Sequence, residues 1–161
     1  MKKLAGGVSV LTVLALLVIA AVAVATPATL ATTTVLAPGS LGPVDVQMDN
    51  GDWKLRLKTR GHSDVATSEI RVAPGGQLGW HRHPGPSLVI VKSGTSTFYS
   101  GDDPHCIGEA HPAGTAYLDP GGDVHIARNE GTQELVLIVT RIIPAGATPR
   151  VDVPAPGNCP F

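Results

Sequence analysis

The sequence has no excess of charge of one sign and, beyond its first 25 residues, no helical pattern. It has 12 lysines and arginines against 13 aspartates and glutamates, a formal net charge of −1, so it is not basic enough to predict a nucleic-acid partner. No stretch after Ala25 keeps an apolar period of 3.6 residues, and no repeat of solenoid length is present. These absences argue against an α-helical domain, a repeat array and a nucleic-acid-binding protein.

The common catalytic motifs are also missing. The sequence contains no G-x-S-x-G nucleophile turn, no H-E-x-x-H zinc helix and no phosphate-binding loop. Residues 75–79 are similar to a dinucleotide-binding loop only in their glycines, because a strand rather than a helix is expected to follow. No catalytic residue can therefore be assigned from a motif of this kind.

Cysteine is scarce, since Cys106 and Cys159 are the only two. Neither has a second cysteine or a histidine at zinc-finger spacing, which argues against a structural zinc site. In an oxidising compartment the two thiols are expected to pair, and closing a loop of this length would stabilise the fold by about 4 kcal/mol in the chain-entropy model. The alternative is two free thiols.

The one long hydrophobic run lies at the N-terminus. After Met1-Lys2-Lys3, the 22 residues from Leu4 to Ala25 carry no charge, and Ala23-Val24-Ala25 fits a small-x-small cleavage site. This pattern predicts a signal peptide over residues 1–25. An uncleaved membrane anchor is the alternative, because the run exceeds the ~7–15 residues of most cleavable segments and approaches the ~20 that span a bilayer. Either way, we expect a protein that is secreted or anchored on the outer face of the cytoplasmic membrane.

One domain is expected in the rest of the chain. Removing 25 of the 161 residues leaves 136, which is enough for a single hydrophobic core and too few for two domains. Residues 26–42 are rich in Thr, Ala and Pro without an apolar period, and we expect them to form a flexible tether. Residues 146–161 form a Pro-rich C-terminal tail.

Short apolar segments separated by glycine and proline turns fill the region between tether and tail. Residues 53–60 alternate apolar and cationic side chains, which predicts a half-buried antiparallel strand. Residues 135–139 are apolar throughout, which predicts a strand buried on both faces. Further strands are expected at residues 68–73, 78–83, 87–92, 95–99, 115–118, 124–128 and 134–143. The pattern predicts an all-β sandwich or barrel.

Three histidines carry the strongest chemical signal. His81 and His83 alternate around Arg82, so on a strand both imidazoles lie on one face and can bind one metal ion. His125 follows the turn Pro120-Gly121-Gly122, and a returning strand can bring this third imidazole to the same ion. Three imidazoles with an open position can activate a bound water or hold a substrate oxygen. The alternative is three ordinary polar residues on a barrel wall. The other histidines, His62, His105 and His111, have no partner at ligand spacing.

The spacing around the three histidines resembles the two consecutive motifs of the cupin superfamily. The matching positions are Gly75, His81, His83 and Gly94 in the first motif, and Gly114, Pro120, Gly122, His125 and Asn129 in the second. The first motif departs from the pattern at one position, where Ser87 stands in place of the usual metal-binding glutamate.

This resemblance implies an all-β, cupin-type double-stranded β-helix, a jelly-roll barrel, over residues 43–145. It implies His81, His83 and His125 as the metal ligands, with no residue in the glutamate role. Without that carboxylate, a divalent iron, zinc or nickel ion is expected rather than manganese. Ser87 is expected to be at best a weak ligand, and otherwise a donor near the metal or a residue without a role.

Cupins include enzymes and non-enzymatic binding domains, so the fold does not select a reaction. The first hypothesis is an exported protein that binds a divalent metal through the three histidines and presents it to a small-molecule ligand. The alternative is a metal-dependent oxidoreductase, similar to the three-histidine dioxygenases of the superfamily, acting on a small oxygen-rich or thiol substrate. A third hypothesis is an interaction domain with an empty site. The resemblance also implies a homodimer.

Overall fold

The computed structural model describes residues 24–161, which form twelve β-strands and contain no helix. The predicted signal peptide or anchor over residues 1–25 therefore lies, except for its last two residues, outside the described residues. Within residues 24–161 there is no apolar helix of a length that could cross a bilayer.

The strands follow one another at short intervals. They are β1 (Thr29–Leu41), β2 (Asp45–Asp49), β3 (Lys54–Lys58), β4 (Ser63–Gln77), β5 (His81–Arg82), β6 (Ser87–Ser93), β7 (Thr95–Ser100), β8 (Glu109–Pro112), β9 (Ala116–Asp119), β10 (His125–Arg128), β11 (Leu135–Pro144) and β12 (Val151–Asp152).

Ten of these strands form one antiparallel sheet. Seven of its strands are hydrogen-bonded in the order β12-β5-β10-β4-β11-β6-β9. In addition, β1 pairs with β4, and β7 pairs with both β10 and β8. The longest ladder without a register shift pairs β11 with β4, from Leu135 opposite Val72 to Pro144 opposite Ser63. The sheet closes on itself almost completely, so the all-β, double-stranded β-helix fold expected from the sequence is confirmed.

The main core lies inside this curved sheet. Alternate residues of β11 point inward, and Leu135, Leu137 and Val139 are each no more than 2% exposed. They pack against Ile70 and Val72 of β4 and against further apolar residues of β6 and β10. Burying each such side chain stabilises the fold by roughly 1.5–3 kcal/mol. Val136 on the opposite face is buried as well, which confirms the prediction that this segment is covered on both sides.

A second, smaller core ties the C-terminal tail to the barrel. Trp80, Tyr99 and Ile126 are buried together, and both cysteines pack against them. Cys106 and Cys159 form a disulfide across 53 residues of sequence, which is the predicted pairing. Strand β12 in the tail pairs with β5, so that Val151 lies opposite Arg82. The tail is therefore part of the sheet that carries His81.

Residues 26–42 are not a flexible tether, and this prediction was wrong. Most of the segment is β1, which pairs antiparallel with β4 from Thr29 opposite Gln77 to Leu41 opposite Ser63. The apolar period was absent because β1 is exposed along almost its whole length. Its β-branched threonines and valine suit an extended strand, and β1 supplies the hydrogen bonds that the edge of β4 would otherwise lack.

Two strand predictions need correction. The segment at residues 53–60 is not half-buried: β3 pairs only with β2 in a separate two-stranded sheet, and Leu55 is 52% exposed. The predicted strand at residues 78–83 is reduced to His81 and Arg82. Gly79 breaks it, because its φ is +71° and any side chain there would collide with the carbonyl oxygen of Thr26.

Candidate metal site

The three predicted histidines meet in the interior of the barrel. His81 in β5 and His125 in β10 are direct cross-strand partners, and His83 follows His81 by two residues. Their exposed fractions are 2% for His81, 3% for His83 and 5% for His125. Each offers one ring nitrogen to a group whose members all lie within 4.8 Å of one another. The geometry therefore allows a single ion to contact all three.

Backbone carbonyls hold the three rings in one orientation. The Nδ1–H groups donate to carbonyl oxygens, from His81 to Gly79 at 2.8 Å, from His83 to Pro149 at 2.8 Å and from His125 to Asp123 at 3.0 Å. A carbonyl oxygen can only accept, so Nδ1 of each neutral ring carries the proton and Nε2 keeps its lone pair. This is the arrangement by which proteins fix the tautomer and ring direction of metal-binding histidines.

The turn between β9 and β10 couples the two motifs. The amide of Gly122 donates to the carbonyl of His83 at 2.7 Å, and the amide of Gly121 donates to Oδ1 of Asp119 at 2.9 Å. Gly121 has a φ of +80° and lies against the backbone of Gly85, where a side chain would not fit. The glycines of this turn thus bring the strand of His125 close to the segment of His83.

Asp119 is a site residue that sequence reasoning missed. It ends β9, is 5% exposed, and places Oδ2 3.6 Å from Nε2 of His125 and 3.8 Å from Nε2 of His83. These distances are too long for hydrogen bonds. The sequence contained a signal for Asp119, because it lies two residues after Tyr117 and both side chains face the cavity. The strand predicted at residues 115–118 ended one residue before it.

Burial keeps the three histidines neutral. It lowers the pKa of His81 to about 2, with repulsion from His125 adding to the effect. Burial also lowers the pKa of His83 to about 4, although its hydrogen bond to Pro149 opposes the shift. For His125 burial lowers the pKa, while the charge of Asp119 acts in the opposite direction. At neutral pH the cluster is therefore a set of uncharged nitrogen acceptors.

The chemistry of this donor set fits a divalent cation. Three Nε2 lone pairs and one carboxylate oxygen face each other in the barrel. Acceptors brought together without a donor repel one another, and a cation between them removes that repulsion. Neutral imidazole suits zinc, copper, iron and nickel. The cluster is compatible with a divalent metal. The assignment of His81, His83 and His125 as its ligands stays a prediction.

The histidines and Asp119 line a small cavity of about 30 Å³. Its floor is the main core, including Ile70, Leu78 and Leu137. Phe98 stacks on the ring of His125 at 5.0 Å between centroids. About 10–15 Å³ accommodates one water, so the cavity suits an ion with one or two small groups beside it.

Ser87 and Arg141 complete the lining. Ser87 is 1% exposed and its Oγ has no hydrogen-bond partner. It lies between Arg141 on β11 and Asp119 on β9, since it is the register partner of both. Ser87 therefore faces the cavity that contains the histidines, rather than being a surface residue.

Other residues singled out by the sequence have structural roles or lie elsewhere. Asn129 of the second motif donates from Nδ2 to the carbonyls of Val72 and Gln133, which fixes the turn after β10. His62 and His105 are exposed and lie outside the cavity lining. His111 stacks on Tyr117, with 4.1 Å between ring centroids.

Comparisons with known proteins bear on the family. A family model described as a cupin domain matches residues 68–141. The comparison with curated proteins gave no match.

Several solved structures have a similar fold. A cupin-2 domain from Rhodospirillum rubrum is 18% identical, covers 78% of this chain and 66% of its own, and has a TM-score of 0.51. A cupin domain from Bordetella pertussis is 24% identical, with 63% and 93% covered and a TM-score of 0.43. A conserved protein with a double-stranded β-helix domain from Klebsiella pneumoniae is 22% identical, with 70% and 84% covered and a TM-score of 0.47.

The likeness to solved structures concerns the fold alone. The family match is more specific, because residues 68–141 contain all three clustered histidines, Ser87 and Asp119. The strands that carry His81 and His125, and most of the barrel around them, thus fall within the matched segment, and the chain contains a cupin domain.

Proposed function

We propose that this chain is an exported cupin that binds one divalent metal through His81, His83 and His125 and presents it to a small-molecule ligand. The observation that carries the proposal is the orientation of the rings. Each Nδ1 donates to a backbone carbonyl, and this leaves three Nε2 lone pairs directed to one buried place. When bound, the metal supplies a Lewis-acidic position for a ligand oxygen.

Three imidazoles favour iron, zinc or nickel over manganese, which prefers oxygen ligands. Asp119 modifies the prediction made from the sequence, which gave the site no carboxylate. The residue lies one strand away from the position of the family's glutamate, because it is the register partner of Ser87. Its negative charge beside His83 and His125 would strengthen the binding of any divalent cation.

Elemental analysis of the purified protein tests the metal assignment. We expect about one equivalent of iron, zinc or nickel per chain, and its loss in His81→Ala. His62→Ala is the matched control, because His62 is exposed and does not line the cavity. Equal trace metal in the wild type and both variants would reject the proposal.

Turnover is a second candidate, favoured by Tyr117. Its side chain lines the cavity of the histidines, and burial raises the pKa of its hydroxyl, so at neutral pH it holds a proton that it can donate. If the protein contains iron, oxygen uptake with a panel of thiols and catechols measures this activity. A rate in the wild type that Tyr117→Phe reduces would favour an oxidoreductase; no uptake with any substrate favours the binding function.

Export is supported by the disulfide, which is compatible with an extracellular location because such bonds persist in oxidising compartments. The partner we propose is a small molecule, since the cavity at the histidines is small and enclosed by the barrel.

A further inference from the structure

A partly buried cation without an ion-pair partner lies beside the histidines. Arg141 continues the inward row of β11 after Leu137 and Val139, and it lines the same cavity. Its Nε is buried and has no hydrogen-bond partner. Among the ion pairs formed by residues 24–161, none involves Arg141. Burying a guanidinium group without an acceptor costs free energy, so a ligand that supplies the acceptor would bind there favourably.

Ser87 provides a second unpaired group in the same place. It lies directly opposite Arg141 in the ladder between β6 and β11, and its buried Oγ also lacks a partner. The guanidinium can only donate, and the hydroxyl is free to donate as well. Two donors on neighbouring strands, one of them charged, are a suitable arrangement for an oxyanion.

The charges of the cavity also favour an anion. The histidines are neutral, and the charges of Asp119 and Arg141 cancel each other. Burial and the nearby Arg150 lower the pKa of Arg141, whereas Asp119 raises it; a guanidinium remains protonated under such conditions. Adding a divalent metal leaves two positive charges uncompensated within a low-dielectric interior.

A larger pocket adjoins this cavity and defines the rest of the ligand. It has a volume of about 550 Å³ and lies beneath β1. Ile70, Leu78 and Arg141 line both spaces, so Arg141 stands between them. Alanine, valine and isoleucine side chains form much of its remaining wall. Its size falls within the roughly 300–1,000 Å³ typical of small-molecule sites.

We infer that Arg141 and Ser87 form a carboxylate-binding subsite, and that the ligand of this protein is a small organic acid whose apolar body occupies the pocket beneath β1. The inference deepens the proposed function. It rests on that function in one respect, the metal ion beside the bound carboxylate. It assigns to Ser87 a function that the family's glutamate would prevent, because a carboxylate there would pair with Arg141 itself.

Calorimetric titration with hexanoate and its neutral isostere hexanamide tests the subsite. We expect the metal-loaded wild type to bind hexanoate at least about tenfold more tightly than hexanamide, since one charged hydrogen bond accounts for such a factor. Arg141→Met keeps an unbranched apolar stem but removes the guanidinium, and should abolish the preference, while Ser87→Ala should reduce it. Arg82→Met is the control, because Arg82 is exposed on the same strand as His81 and its loss should leave the preference intact.

Thermal unfolding of ligand-free protein gives a second measurement. Removing an unpaired buried charge should leave Tm unchanged or raise it in Arg141→Met. A wild type without preference for hexanoate, an unchanged preference in Arg141→Met, or a fall of Tm in that variant overturns the inference. The metal content of each sample separates the two proposals. A full metal complement without preference rejects the subsite alone, whereas a preference that depends on Arg141 in a protein without stoichiometric metal rejects only the metal assignment.

Discussion

At the residue scale, the site depends on a few polar groups placed where the surroundings are apolar. The three imidazoles obtain their direction from carbonyl oxygens of Gly79, Pro149 and Asp123. Backbone acceptors cannot rotate away, so the rings are preorganised before any ion arrives. Such preorganisation lowers the entropy cost of binding.

Asp119→Asn tests the contribution of the carboxylate. Asparagine keeps the oxygen that accepts from Gly121 but removes the negative charge beside His83 and His125. We expect the affinity for zinc or cobalt to fall by about 10–100-fold, measured by competition with a chromophoric chelator. Asp123→Asn, a change at an exposed side chain of the neighbouring turn, is the control. An unchanged affinity in Asp119→Asn would show that the carboxylate does not assist the ion.

The lowered pKa values make the stability of the metal-free protein depend on pH. In the unfolded chain each histidine binds a proton below about pH 6.5. In the folded protein His81 and His83 stay neutral to lower pH, because their pKa values are about 2 and about 4. The unfolded state therefore binds more protons in this window, and stability falls as the pH drops below about 6.5. For His83 alone the full loss amounts to about 3 kcal/mol.

Urea unfolding of the chelator-treated protein between pH 7.5 and 4.5 measures this loss. His83→Gln should show a shallower decline than the wild type, because one of the resisting groups is absent. His62→Gln should follow the wild type. A wild-type stability that does not change between pH 7 and 5 would contradict the prediction.

The sequence revealed the histidines but not the charges beside them. The H-x-H alternation and the Pro-Gly-Gly turn are local patterns, and they sufficed to bring three rings together. Asp119 and Arg141 depend on register across β6, and register between strands distant in sequence is not written in local spacing. Arg141 nevertheless breaks the apolar row of Leu135, Leu137 and Val139, and a charge in such a row signals a functional position.

At the scale of elements, the disulfide and β1 act on different segments around the site. The Cys106–Cys159 bond closes a loop of 53 residues and fixes the tail, whereas β1 covers β4 and the larger pocket. Strand β1 and Cys159 lie outside residues 68–141, the segment matched by the family model, whereas Cys106 lies within it. Strand β1 and the tail are therefore additions to the matched segment, and residues of both line the larger pocket.

Removing the disulfide should destabilise the fold. In the chain-entropy model a loop of this length contributes about 4 kcal/mol. We expect Cys106→Ser/Cys159→Ser to unfold at a lower guanidinium concentration than the oxidised wild type. Reductant should lower the stability of the wild type to that of the variant and leave the variant unchanged. Equal stability of oxidised wild type and variant would show that the bond contributes nothing.

Element prediction succeeded where burial produces a pattern and failed where it does not. Strand β11 was recognised because its apolar run predicts burial on both faces, and β6 because its apolar residues lie between glycine and proline turns. Strand β1 was mistaken for a tether because both its faces are largely exposed, so that no apolar period marks a strand that is paired with β4. Strand β3 was predicted to be half-buried but is largely exposed. Alternation shows that a strand has an apolar face, but not that this face packs against a core.

At the scale of the whole molecule, the location of the protein and its oligomeric state stay predictions. The N-terminal pattern predicts cleavage after Ala25, and intact-mass spectrometry of the protein from its native compartment measures it. We expect a mature chain of 136 residues that begins at Thr26. A mass that retains residues 1–25 would favour the membrane anchor instead. The homodimer implied by the family can be measured by sedimentation velocity on the same sample.

One contact in the tail links the chemical state of the cysteines to the metal. The carbonyl of Pro149 that orients His83 lies between β11 and the segment that Cys159 fastens to Cys106. We expect a newly made chain whose thiols are still reduced to hold that carbonyl less firmly, so that the ring of His83 is less well oriented. If the chain is exported and binds a metal as proposed, we therefore expect maturation to have an order, in which oxidation of the cysteines precedes capture of the ion.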